Sequence, residues 1–82
     1  MGQITLYTSS ECDRCKTVKG MLDRHSVNYT EVTDKQIMLE KEFEGVPVIE
    51  VDGKVIDNYV SVLAWLEKNG YYSFEVNGDE NN

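Results

Sequence analysis

Two cysteines three positions apart, Cys12 and Cys15, stand where the hydrophobic period of the chain changes. Ahead of them Gln3-Ile4-Thr5-Leu6-Tyr7-Thr8 alternates apolar and polar residues and is rich in β-formers, which specifies a strand ending at Ser9-Ser10. From Glu11 the period becomes helical: Cys15, Val18, Met21, Leu22 and His25 recur at that spacing, so a helix is expected over about residues 13–25. Ser9, Ser10 or Cys12 itself can cap it. The dithiol therefore sits at the mouth of a helix that directly follows a strand.

The remaining chain continues the alternation of the two periods. Val27 to Val32 reads as a second strand, and Thr33-Asp34 as the cap of a short helix reaching about Glu42. Phe43-Glu44-Gly45 breaks that helix. Val46-Pro47-Val48-Ile49-Glu50-Val51 is a β-rich run with proline at its beginning, where proline is tolerated. Asp52-Gly53 is a two-residue hairpin signal leading to Lys54-Val55-Ile56. Asn58 caps a last helix containing Val62, Leu63, Trp65 and Leu66, ended by Asn69-Gly70. The order is β-α-β-α-β-β-α. Strands joined through helices imply parallel pairs, and the tight turn implies one antiparallel pair.

Bulk properties narrow the function. Eighty-two residues, 40% of them hydrophobic, make one small domain, assigned to residues 1–72, with a polar tail over residues 73–82 expected to be partly disordered. A bond between cysteines three apart closes too small a loop to act as a scaffold. Fifteen acidic against 8 basic residues, a formal charge of -7, disfavour nucleic acid and anionic membranes as partners. Met1 to Thr8 lacks the basic start and apolar run of a secretory signal, and no stretch approaches the roughly 18 apolar residues of a membrane span. A reducing, cytoplasmic setting is expected, where thiols are kept for chemistry.

Cys12-Asp13-Arg14-Cys15 supplies that chemistry. Free backbone N–H groups and the positive end of the dipole at a helix N-terminus stabilise a thiolate, the attacking species in disulfide exchange. The first cysteine gains most, and the helix turns Cys15 back beneath it, within reach of a mixed disulfide. Cys12 is thus expected to be the nucleophile and Cys15 the resolver. Arg14 and Lys16 favour the thiolate, while Glu11 and Asp13 oppose it. The competing reading is half a zinc site, but two further ligands would be needed. The chain offers only His25, roughly 18 Å of helix rise away, so no metal site is assigned.

Over about residues 3–70 the sequence resembles the glutaredoxins and NrdH-type redoxins of the thioredoxin-fold superfamily. The resemblance rests on Ile4-Thr5-Leu6-Tyr7-Thr8, Cys12-x-x-Cys15, Gly45-Val46-Pro47-Val48 and Val51-Asp52-Gly53-Lys54-Val55-Ile56. It implies an α/β thioredoxin fold, a four-stranded mixed sheet with three flanking helices. It also implies a cis Val46–Pro47 bond beside the cysteines, with the Val46 backbone pairing to bound peptide or glutathione. The implied activity is dithiol exchange on a disulfide-containing protein, ribonucleotide reductase among the substrates the family suggests. Thioredoxin reductase or glutathione would be the electron source, without a tightly bound cofactor, in a monomer. Tyr7, Arg14, Asp57, Asn58 and Tyr59 are expected to join Val46 and Pro47 in contacting substrate.

Three departures from that family separate this chain from its glutathione-using members. Asp13-Arg14 replaces the usual proline and aromatic between the cysteines, and Ser9 replaces a lysine. Asp57-Asn58-Tyr59-Val60 stands where a glycine pair and an acid would hold glutathione, leaving Asp57 or Ser61 as substitute contacts. Three readings stay beside the redoxin: a glutathione-dependent glutaredoxin, a non-enzymatic module holding zinc or an iron–sulfur cluster between two copies, and a binding domain whose cysteines are idle. Asp34, Glu40, Glu42 and Glu44 read as a solvated acidic face, and His25 as a surface residue at a helix C-terminus.

Overall fold

A computed structural model describes residues 3–72 of the chain. Its elements are β1 (Ile4–Tyr7), α1 (Asp13–Arg24), β2 (Thr30–Val32), α2 (Lys35–Glu40), β3 (Val48–Val51), β4 (Lys54–Ile56) and α3 (Tyr59–Lys68). This is the expected order, and it forms the mixed four-stranded sheet and three helices of the glutaredoxin-like thioredoxin fold. The expected tail, residues 73–82, lies outside the described residues.

The sheet order is β2-β1-β3-β4. β1 and β2 run parallel, with Leu6 opposite Glu31, whereas β3 runs antiparallel to both β1 and β4. Two antiparallel pairs thus replace the single one expected from the sequence. The reason is the length of α2. Six residues rise only about 9 Å, and β3 enters at the end of the sheet where β2 leaves, beside Tyr7.

Alternation along the strands sends side chains to two cores. Leu6 and Ile49 meet Val18, Met21, Leu22, Val62 and Leu66 beneath α1 and α3, all at most 4% exposed. Tyr7 and Val48 point the other way, where they pack with Met38 of α2.

Helix ends follow the expected punctuation more closely than strand ends. Asp34 accepts the Gln36 N–H at 2.9 Å, and Asn58 accepts that of Ser61 at 2.8 Å, so both act as N-caps. α2 stops at Glu40, short of the expected Glu42, because Glu42 turns left-handed at φ 62° and Phe43 N–H returns to the Met38 carbonyl at 3.1 Å. β2 begins at Thr30 instead of Val27. Ser26 takes φ 57° and Val27 N–H closes on the Leu22 carbonyl at 2.9 Å, so the helix exit occupies the first residues of that β-rich run. Asp52 and Gly53, at φ 52° and 84°, make the two-residue turn between β3 and β4.

Candidate active site

The end of β1 and the start of α1 bring the two cysteines together. Cys12 is the N-cap of α1, with extended backbone at φ -106° and ψ 108°. Its Sγ accepts the Cys15 N–H at 3.0 Å, as a capping oxygen would. The two residues are joined as a disulfide with their Cα atoms 5.2 Å apart. Cys12 is half-buried, while Cys15, one turn inward, is only 1% exposed. An incoming group can therefore reach the first sulfur and not the second.

The loop before β3 forms the opposite wall. Cys12 Sγ lies 3.8 Å from the Val46 carbonyl oxygen. The Val46–Pro47 bond is cis, and Pro47 is among the fully buried residues. Val46 stands outside the ladder, which starts at Val48 opposite Tyr7, so its backbone is not engaged in strand pairing. Beyond it, a groove of about 260 Å³ runs toward α2, lined by Ser9, Lys35, Met38, Leu39, Phe43 and Val46. That volume lies below the range of pockets for drug-sized ligands and suits a side chain. Met38, Leu39 and Phe43 were absent from the sequence-derived site. Only the spacing of an amphipathic α2 beside the proline loop could have pointed to them.

The other flank is built by Arg14 and Tyr59. The Arg14 guanidinium lies over the Tyr59 ring, 5.0 Å from its centroid, joining the first turn of α1 to the first residue of α3. Asn58 fixes that start through its cap, and Asp57 precedes it, exposed. Arg14, Tyr59 and the cysteines thus gather at one end of the fold.

Tyr7 is placed differently from these. Its ring meets Phe43 edge-on at 4.9 Å, and its hydroxyl donates to Glu50 Oε1 at 2.8 Å. Lys41 Nζ stands 3.7 Å from the same carboxylate oxygen. Burial, reinforced by Glu50, pushes the Tyr7 hydroxyl up to about 12. Only 4% of the residue is exposed, and it serves the second core. The His25 ring lies 6.2 Å from that of Tyr71, tilted by 47°, beyond the far end of α1.

A further polar contact supports the cysteine loop from below. Thr8, 1% exposed, donates its hydroxyl to Glu31 at 2.6 Å, and Lys19 of α1 reaches the same oxygen at 3.1 Å. The Thr8 hydrogen bond first, and Lys19 next, hold the Glu31 carboxyl below its ordinary value. A lowered native pKa contributes stability that is complete above the ordinary carboxylate range and lost as pH falls through the lowered value. Thr8→Val keeps the shape and removes the donor, so it should cost about 1–2 kcal/mol at neutral pH. The difference from the parent should shrink in acid, which urea melts at neutral and acid pH would show.

No described helix is long and apolar enough to cross a membrane. Among the described residues no group of three or more His, Cys, Asp or Glu is placed to hold a metal ion.

Comparison with known proteins agrees with this geometry. The sequence model of the Glutaredoxin family matches residues 4–56. A search of the curated proteins finds no match. Among solved structures, glutaredoxin 1 from Francisella tularensis, complexed with cacodylate, superposes with a TM-score of 0.68 at 16% identity, covering 88% of this chain and 100% of that one. A Nu-class GST from Haemonchus contortus gives 0.67 at 19% identity, covering 84% of this chain and 36% of its own. A nematode-specific GST from C. elegans gives 0.66 at 21%, covering 84% and 37%. The chain thus spans little more than a third of the GST structures it resembles, and at these identities the likeness is one of fold. The family match spans both cysteines, the Val46–Pro47 loop and β1 through β4, and with it this chain belongs to the glutaredoxin family of thiol redoxins.

Proposed function

We propose that the protein reduces protein disulfides as a dithiol redoxin, with Cys12 as nucleophile and Cys15 as resolver. The observation that carries this reading is the Cys15 N–H pointing at Cys12 Sγ from 3.0 Å at the N-cap of α1. In the reduced protein that donor and the helix dipole favour a thiolate on the accessible sulfur. The Cys12 thiolate attacks one sulfur of the substrate disulfide; a mixed disulfide forms and the other substrate sulfur leaves as a thiolate, later protonated by water. Cys15 then gives up its thiol proton, which ends on the departing substrate sulfur or in water, and its sulfur attacks Cys12 Sγ, forming the Cys12–Cys15 bond and releasing the second substrate thiolate. Two electrons pass from the protein to the substrate.

Substrate docking draws on Val46, whose unpaired backbone can accept an extended segment by strand addition, with Pro47 fixing the loop beneath it. The groove over Met38, Leu39 and Phe43 receives a neighbouring apolar side chain. Recycling by a flavoprotein of the thioredoxin reductase class is favoured over glutathione. Ser9 offers no charge to a glutathione carboxylate, and in place of a glycine pair the Asn58 side chain caps α3 and Arg14 covers Tyr59. The setting is a monomer in the cytoplasm, without a tightly bound cofactor, and ribonucleotide reductase is one substrate the family suggests. Oxidised protein offered thioredoxin reductase with NADPH, and separately millimolar glutathione with glutathione reductase, tests the choice. Efficient recycling by the first and not the second is expected. The converse result would assign the protein to the glutathione-dependent branch.

A further inference from the structure

We infer that Arg14, held against Tyr59, selects disulfides that carry a carboxylate beside the attacked sulfur, supplied by an acidic side chain of a protein substrate. The inference rests on the dithiol reading above and names the substrate class of that site. Arg14 is the second residue of α1, exposed, with its guanidinium 5.0 Å from the Tyr59 ring centroid. The contact with the ring is a cation–π one, and Arg14 makes no hydrogen bond or ion pair among the described residues, so its N–H groups remain available as a fork matched to a carboxylate. Arg14 enters no ion pair among the described residues, and neither do Lys16, just after the cysteine motif, and Lys35 in the groove; what sets Arg14 apart is the contact that holds it against Tyr59. Lys19 and Lys41 are instead paired with Glu31 and Glu50.

The placement of that contact fits a peptide substrate. Val46 borders Cys12 on one side, and Arg14 follows two residues later on the first turn of α1. A segment pairing with Val46 and delivering its sulfur to Cys12 advances about 3.3–3.6 Å per residue. In the proposed complex, an acidic residue next to the attacked cysteine lies one such step from the sulfur, on the flank that Arg14 and Tyr59 build. Glu11, Asp13 and Asp57 repel a carboxylate while Lys16 and Lys35 attract it, so the field around the cysteines is mixed in sign and the proposed selectivity is assigned to the fork of Arg14. Tyr59 is the positioning residue, and the Asn58 cap holds it at the start of α3.

The test is single-turnover reduction of two disulfide peptides by the reduced protein, identical except for Glu or Gln beside the attacked cysteine. The Glu peptide should react about fivefold faster at low salt, the upper end for an exposed pair. That advantage should fall toward unity at high salt. Arg14→Gln should abolish the preference, and Arg14→Lys should retain about twofold, because charge survives without the fork. Tyr59→Ala should weaken the preference and Tyr59→Phe preserve it. Equal rates for the two peptides with the parent protein would overturn the inference. So would Arg14→Gln slowing both peptides alike, which would mean that Arg14 acts only through the thiolate. A third arm uses the Gln peptide as a mixed disulfide with glutathione; acceleration confined to that arm would make glutathione the carboxylate's source and overturn the assignment to protein substrates. Exchange with neither peptide would remove the dithiol reading itself.

Discussion

Replacing Cys15 with serine will give a protein that attacks a substrate disulfide once and stops. Cys12 keeps its place at the N-cap of α1, half-buried and 3.8 Å from the Val46 carbonyl oxygen, so the mixed disulfide still forms. The buried group one turn inward is then a hydroxyl, which does not displace a thiolate from the mixed disulfide at neutral pH. Mass spectrometry should find a stoichiometric covalent adduct between Cys15→Ser protein and a disulfide peptide. Cys12→Ser should form none and lose turnover completely, because Cys15, 1% exposed, is not presented to a substrate. Adduct formation by Cys12→Ser at the parent rate would reverse the roles of the two residues.

Leu66→Ala should be the most damaging conservative change away from the site. Leu66 is fully buried on α3 and packs in the cluster of Leu6, Val18, Met21, Leu22, Ile49 and Val62. Truncation removes transfer energy and leaves a cavity, together about 2–5 kcal/mol. A domain of this size has on the order of 5–10 kcal/mol in total, so the variant should unfold at much lower urea or be largely unfolded at 37 °C. Leu39→Ala is the control. Leu39 is 70% exposed, and its truncation should stay within about 0.5 kcal/mol. Equal urea midpoints for Leu66→Ala and Leu39→Ala would contradict the packing described above.

Much of this was legible in the sequence because the informative signals are local. Period-2 residues in β1, the helical spacing of Cys15, Val18, Met21 and Leu22, and the Asp34 and Asn58 caps each depend on residues within a turn or two. The pairing of β3 with β1 was not legible. It depends on where a six-residue helix leaves the chain in space, which no local pattern encodes.

The candidate site divides in the same way. A capping position for Cys12 follows from its place between strand and helix, while the cis Val46–Pro47 bond was expected from family resemblance alone. Arg14 and Tyr59 were each singled out, yet their cation–π contact joins residues 45 positions apart in number and appears only with the fold. Thr8 with Glu31, and Met38 with Phe43 beside Val46, are likewise products of tertiary placement. Tyr7 shows the limit of arguing from proximity in sequence. Lying five residues before Cys12, it turns its hydroxyl to Glu50 because strand alternation sends it to the opposite face from Leu6.

The pH dependence of Cys12 alkylation in the reduced protein probes the thiolate at the head of α1 most directly. With the Cys15 N–H and the helix terminus directed at Sγ, the reactivity midpoint should lie at or below about 7.5, in the range of activated cysteines. A midpoint at the ordinary thiol value of about 8.5 or higher would contradict the account.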